Sequence, residues 1–467
     1  MTAGWGLAAR APGLRVAPIL SLVVAVGAGA AIALGHEVVT IALLGAALYS
    51  LVFVQSPAVA LLAYVATRPA VDGFVLVDAG PVTVGQIWGA GLILLLTVFL
   101  VGLQSKSPAG RSVPLPILAL VALYAVLAAR GDTDIALQFG LKLAMWLVLI
   151  VAVERISQTR SGQVMCFRAG YALAAGSAVL IGVLAAFNKF GGAYYESFGQ
   201  AQGTEQSPQA LAFLALFSLS FPLIALLQRW WPFLSLALVV ALSIEITISY
   251  VRTALLALVA LVIVYLFVAI RRGRLTALGL AGSFGVTAYV VQDRLAERFS
   301  DLQLLGSGQS SGAGSNRVAI WTAVWDTTTS SVQTLAAGGG AGSSHAASEK
   351  AIGHFVDAHN DLLEFFATGG TLLLFAYVAF IVWVIRSVWH VYRDPAQSSR
   401  ARAVAALSFG VIAAFLAASL SGSISFYAAA LAFAVLIGLI RGMARTPGRT
   451  CFDPDTTGSP VRGGLVS

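Results

Sequence analysis

Apolar residues occupy this chain in long, nearly unbroken blocks separated by short polar breaks, without the period-2 alternation of a half-buried strand. Thirteen blocks stand out, at 16–34, 38–54, 84–103, 114–130, 136–153, 167–187, 209–227, 232–249, 252–270, 275–291, 360–385, 402–419 and 423–441. Each approaches or reaches the roughly 20 residues that cross a bilayer. The run 57–66 is too short to cross alone and is read as a tilted or half-span. That gives about fourteen crossings, or twelve if early spans merge. Lipid offers no partner to an open backbone group, so every span is expected to be helical. The predicted fold is an all-α polytopic membrane protein with about 12 to 14 transmembrane helices.

One break differs in scale. Residues 292–358 form a connection far longer than the others, and loops above roughly 15 residues are usually functional or disordered. Leu295, Phe299 and Leu302 recur at helical spacing among charges, which predicts an amphipathic interfacial helix over 292–305. A Gly/Ser linker follows at 306–315. Val318, Trp321 and Trp325 then share a helical face, predicting a second short interfacial helix over 316–327. The implied organisation is a helix bundle over 1–291, the long loop over 292–358, further transmembrane helices over 359–441 and a tail over 442–467.

Composition agrees: 58% of the 467 residues are hydrophobic and 10% charged, against roughly 25% charged in soluble domains. A net charge of +8 would suggest nucleic acid in a soluble protein; here no nucleic-acid partner is expected, and the distribution of charge matters instead. Arg10 and Arg15, Lys106 and Arg111, Arg155 to Arg168, Arg229, Arg271 to Arg274, and Arg386 to Arg402 fall in alternate breaks. By the positive-inside rule those breaks are cytoplasmic, as are both termini. Glu37, Asp72, Asp78, Asp132, Asp134, Glu196, Glu205 and the acids of the long loop fall in the complementary, outward breaks. The block after Arg15 is longer than a signal-peptide core and reads as a retained span. Tyr194 and Tyr195 read as interfacial aromatics. Cys166 and Cys451, the only two cysteines, exclude a disulfide scaffold and a four-cysteine metal site.

Within the spans Lys142 and Glu245 are the ionisable residues far from either end. Such groups are costly in lipid, and two readings stand: an interhelical contact, including one with each other, or a substrate or proton path. Arg252 opens a span at its outer end, as a snorkelling side chain or as a functional one. Arg317 opens the second loop helix, and His359 stands where the loop re-enters the membrane. Arginine's fork matches phosphate oxygens, and histidine exchanges protons near neutral pH. Two arginines and a histidine at an outer membrane surface suit a lipid-linked pyrophosphate. The glycine-rich segments 306–314 and 338–342 lack the setting of a nucleotide loop and read as flexible joints. His345, His354 and His359 have no recognised zinc spacing, so no metal and no other cofactor is expected.

Read in order, these residues resemble the O-antigen ligase and O-antigen polymerase family of bacterial surface-polysaccharide enzymes. The matches are Arg252 at the start of a span, Arg317 with Ile320 and Trp321, and the pattern His359, Asn360, Leu363, Glu364 followed by Gly370. The chain departs from the family at Val251, at Ala336 and Ala337, and at Leu373, where serine, proline and glycine are usual. The resemblance implies an inverting, metal-independent glycosyltransferase in the bacterial cytoplasmic membrane, its active site facing outward. It would move a glycan from a polyprenyl-pyrophosphate carrier to a sugar hydroxyl on a glycan or glycolipid acceptor. His359 would be the general base, and Arg252 and Arg317 the pyrophosphate-binding residues. Asn360, Glu364 and Trp321 would support them; for Glu364 a helix–helix hydrogen bond is the competing reading. A polytopic transporter or lipid-linked glycan flippase is the alternative function.

Overall fold

The computed structural model describes residues 56–68, 84–104, 113–186, 208–249, 251–270, 282, 285, 289, 292, 317–420, 422, 429–446 and 450–452. The expected spans at 16–34 and 38–54, nearly all of 275–291 and 292–305, the linker at 306–315, and Tyr194 and Tyr195 lie outside these residues.

All regular structure among the described residues is helical. The helices are α1 (Pro57–Ala66), α2 (Val84–Gln104), α3 (Leu115–Ala128), α4 (Thr133–Ile156), α5 (Arg160–Ala186), α6 (Pro208–Ser218), α7 (Ser220–Gln228), α8 (Pro232–Ile248), α9 (Arg252–Ile270), α10 (Arg317–Thr329), α11 (Val332–Ala337), α12 (Ser343–Ile352), α13 (Asp361–Arg393), α14 (Ser399–Ser419) and α15 (Ala430–Ala444). Four of them, α4, α9, α13 and α14, are long and apolar enough to cross a membrane; α1, α3, α8, α15 and parts of α2 and α6–α7 are shorter apolar helices. On α9 the stripe Leu256, Val259, Ile263 and Phe267 is exposed, a face that water would penalise and hydrocarbon would not.

Two predicted spans are remodelled. The block at 209–227 is split between α6 and α7 at Leu219, because Pro222 has no N–H to give the Ser218 carbonyl. The block at 360–385 is the longer α13, interrupted where Gly369 and Gly370 leave helical geometry.

The core joins α4, α6, α13, α14 and α15. Trp146 packs edge-on against Phe380 at 5.4 Å, and Phe415 stacks on Phe433 at 4.2 Å. Gly438 and Gly442 let α15 approach α4 closely, since a Cβ at either would strike Val153 or Ser157. Charge is segregated along this bundle. Glu154 accepts from Arg441 and Arg445 at one end, with Arg155 and Arg160 nearby in the chain. At the other end, Asp132 caps α4 by accepting from the Asp134 and Ile135 amides.

That second end carries a cap made of α10, α11 and α12. Ile320 and Val324 of α10, Ala347 of α12, Ala358, and Ala367 of α13 form its own small apolar cluster. Val318 and Trp325 are exposed, whereas Trp321 packs against this cluster, so the α10 pattern read from the sequence straddles the edge between its outer and packed sides. The segment 338–342 is not a flexible joint. Gly339 and Gly340 amides donate to the Ala367 and Thr368 carbonyls at 2.8 and 3.0 Å, and Ala341 exchanges bonds with Ala128 and Asp132. Gly338, Gly340 and Gly342 have φ of 69°, 90° and 80°, so glycine serves here for left-handed backbone and close approach.

Gly370 (φ 62°, ψ −157°) occupies a region essentially restricted to glycine, and its Cβ would meet the Ala336 carbonyl. Gly370→Ala is therefore expected to cost at least about 1–3 kcal/mol. Gly353→Ala, where a Cβ would enter open space, should cost less. Thermal unfolding of both variants checks this; equal shifts would remove the steric argument.

Candidate active site

His359 sits in the turn between the α12 cap and α13 with φ 49°, a left-handed backbone rare for a residue with a Cβ. Its neighbours impose that conformation. Trp321 Nε1 donates to the Ala358 carbonyl at 2.9 Å. Glu364 Oε2 accepts from the Ala358 amide at 3.2 Å, while its Oε1 accepts from Ser344 Oγ at 2.8 Å. Ala358, the residue preceding His359, is thus held through both its carbonyl and its amide, and Glu364 closes an α12–α13 contact in the same arrangement. On the following side Asn360 caps α13, its Oδ1 accepting from the Leu363 amide at 3.2 Å. Its Nδ2 donates to the Leu420 carbonyl at 3.2 Å, tying the turn to the end of α14. Ser348 binds the preceding loop: its single O–H has the carbonyls of His345, His354 and Val356 within reach, the nearest being Val356 at 2.7 Å, and its oxygen accepts from the Val356 amide.

The imidazole is half-buried, with Nδ1 2.8 Å from Asp357 Oδ1. This is ion-pair distance, but the two groups are not aligned as a hydrogen bond. With Nδ1 towards the carboxylate, Nε2 is the ring nitrogen turned away from it. A second imidazole, His345 of α12, lies within electrostatic range of Asp357, Asp132 and His359. Burial pushes it below the ordinary histidine range, against the pull of both aspartates, so it is neutral at pH 7. Its ring packs against Phe355 at 4.6 Å and Phe139 at 6.1 Å.

The arginines reach this end of the bundle by two routes. Arg317 precedes Trp321 by four residues on α10 and so lies on the same helical face, one turn away. For Arg252 the chain path decides. Gln228, at the close of α7, donates to the Arg400 carbonyl at the start of α14, and α8 begins there. After its 17 residues, α8 delivers Arg252 to the opposite end, where α14 also finishes at Leu420. A Cβ at Gly410 would come within 3.1–3.2 Å of Leu261 and Val264, so α14 packs closely along α9 there. Arg252 and Arg317 are both half-buried.

Lys142 and Glu245 do not pair. Glu245 is buried and accepts from Ser177 Oγ at 2.9 Å, whereas Lys142 lies over the Phe139 ring at 5.6 Å and within electrostatic range of Asp357. Lys142 thus lies towards the same end of the bundle as Asp357. The structure brings Trp321, Asn360 and Glu364 around the His359 turn, together with Asp357, Ser344, Ser348 and His345, which the sequence does not single out. Asp357, two residues before His359, was the one with a local signal. Among the described residues no group of three or more His, Cys, Asp and Glu side chains is placed to hold a metal ion.

No curated protein matches the chain. Residues 236–378, which run from α8 through the cap to the middle of α13 and include Arg252, Arg317 and His359, match the family model described as O-antigen ligase.

Proposed function

We propose that the protein is a membrane glycosyltransferase that moves a glycan from a polyprenyl-pyrophosphate carrier to an acceptor sugar hydroxyl at the outer face of the cytoplasmic membrane. The observation that carries this reading is His359, locked in a left-handed turn beside Asp357 inside the stretch that matches the O-antigen ligase family. In the proposed step the acceptor hydroxyl oxygen attacks the anomeric carbon while its proton passes to His359 Nε2. The bond from that carbon to the pyrophosphate oxygen breaks, with inversion, and the carrier leaves as its pyrophosphate. General-base assistance acts on the attacking side. Arg252 and Arg317 hold the growing charge on the departing side. Asp357 keeps the imidazole oriented, and Glu364, Trp321 and Asn360 hold the turn that presents it. No metal is assigned a part.

Purified protein in liposomes, given a polyprenyl-pyrophosphate-linked glycan and a glycolipid acceptor, is expected to release carrier pyrophosphate in step with glycan joined. Movement of the intact lipid-linked glycan across the bilayer without bond cleavage would replace this reading by a flippase. Sidedness is tested separately with single cysteines at two exposed positions, Ala346 at the His359 end and Ala396 at the arginine-rich end. An impermeant thiol reagent on intact cells should label the first and spare the second. The reverse result would put the site on the cytoplasmic face.

A further inference from the structure

At the end of the bundle away from His359, α13 and α15 flank an open cavity of about 370 Å³ lined by Trp383, Arg386, Ser387, His390, Arg441 and Arg445. Its charge is not balanced. Glu154, buried beneath it, takes Arg441 in a two-pronged pair at 2.7 and 3.2 Å and also accepts from Arg445 at 3.1 Å. One carboxylate thus serves two guanidinium groups. Arg386 adds a third and makes no ion pair among the described residues. Arg441 is further fixed by stacking on Trp383 at 4.1 Å and by donating to Ser387 Oγ at 2.7 Å. A rigid site with an excess of forked cations suits a phosphate.

The surroundings specify which phosphate. Phe375, Val378, Val382, Arg386 and Trp389 follow one another at three- and four-residue steps on α13, a single helical stripe. The four apolar members are exposed. Arg386 lies 16 residues beyond the break at Gly370, roughly 24 Å along the continuous part of α13 at 1.5 Å per residue, and Arg393, Arg400 and Arg402 follow it at this end. Such a concentration of arginines places the cavity at headgroup depth, with an apolar stripe running from it towards the membrane centre. We propose that this cavity binds the phosphate of an anionic phospholipid whose acyl chains lie along the Phe375–Val378–Val382 stripe. This site is separate from the His359 region and serves to anchor α13 and α15 to anionic lipid at the arginine-rich end.

Native mass spectrometry of the full chain in detergent, titrated with phosphatidylglycerol, phosphatidylcholine of the same chain length, and inorganic phosphate, tests the proposal. Phosphatidylglycerol should be retained in preference to phosphatidylcholine. Arg386→Gln should weaken that retention about 5-fold, and Arg386→Gln with Arg445→Gln on the order of 30-fold. Arg441 is left in place, so that buried Glu154 keeps a partner and the variants fold; Arg386 is exposed and unpaired, so its single variant remains informative if the double one does not fold. Phe375→Asn should weaken the lipid and leave phosphate unaffected. Equal retention of the two lipids, unchanged retention in Arg386→Gln, or displacement of the lipid by millimolar inorganic phosphate irrespective of Phe375 would overturn it, the last by showing a free-anion site.

Discussion

His359→Ala is expected to lower glycan transfer by roughly 10²- to 10⁴-fold, the range of general-base assistance, while binding of the lipid-linked donor persists. Alanine also changes the backbone, since φ of 49° is disfavoured for any residue with a Cβ. His359→Asn separates the two effects. Asparagine tolerates the left-handed region and can hydrogen-bond towards Asp357, but it has no basic nitrogen. Both variants should therefore lose transfer alike. His354, exposed and five residues earlier, is the control: Ser348 holds it through its backbone carbonyl, so His354→Ala leaves the loop intact and should retain activity. Near-normal turnover in His359→Asn would assign the loss in His359→Ala to strain and remove the imidazole from the chemistry. Loss of transfer in His354→Ala alone would point to the wrong histidine.

Much of the architecture was legible because lipid-crossing helices are written in continuous hydrophobicity. The block at 252–270 is α9 to the residue, and 84–103 and 232–249 differ from α2 and α8 by one. The motif around His359 was equally legible, because Asn360 as cap and Glu364 one turn on are local relations. What escaped were relations made only by the fold. The serine- and alanine-rich segment 343–352 has no apolar period of its own, yet α12 forms there, capped by its place between α10 and α13. Gly338 to Gly342 carry the same composition as a linker. Their role appears only when the 128–132 turn and the Ala367–Thr368 carbonyls close around them. Lys142 and Glu245 stand out in the sequence, but which neighbour each meets depends on helix rotation, which nearly uniform apolar faces do not encode.

Arg317 and Arg252 supply the second large effect. Arg317→Ala should reduce transfer on the order of 10²- to 10³-fold, the cost of removing one donor to developing charge, and Arg252→Ala should act similarly. The losses should appear in both donor binding and turnover, unlike that in His359→Ala, because a pyrophosphate is charged before and after the bond breaks. Arg317→Lys and Arg252→Lys should restore little, since a single ammonium cannot replace a fork that binds two oxygens at once. The cap supplies the structural control. Trp321 lies one turn from Arg317 and holds the Ala358 carbonyl, so a general collapse of α10 would disturb His359 as well. Arg317→Lys should therefore be checked by the fluorescence of the tryptophans on α10. Intact emission with poor transfer places the arginine in the reaction. Full activity in both alanine variants at normal protein level would leave the pyrophosphate to other cations, with Lys142, within electrostatic range of Asp357, the first to be replaced next.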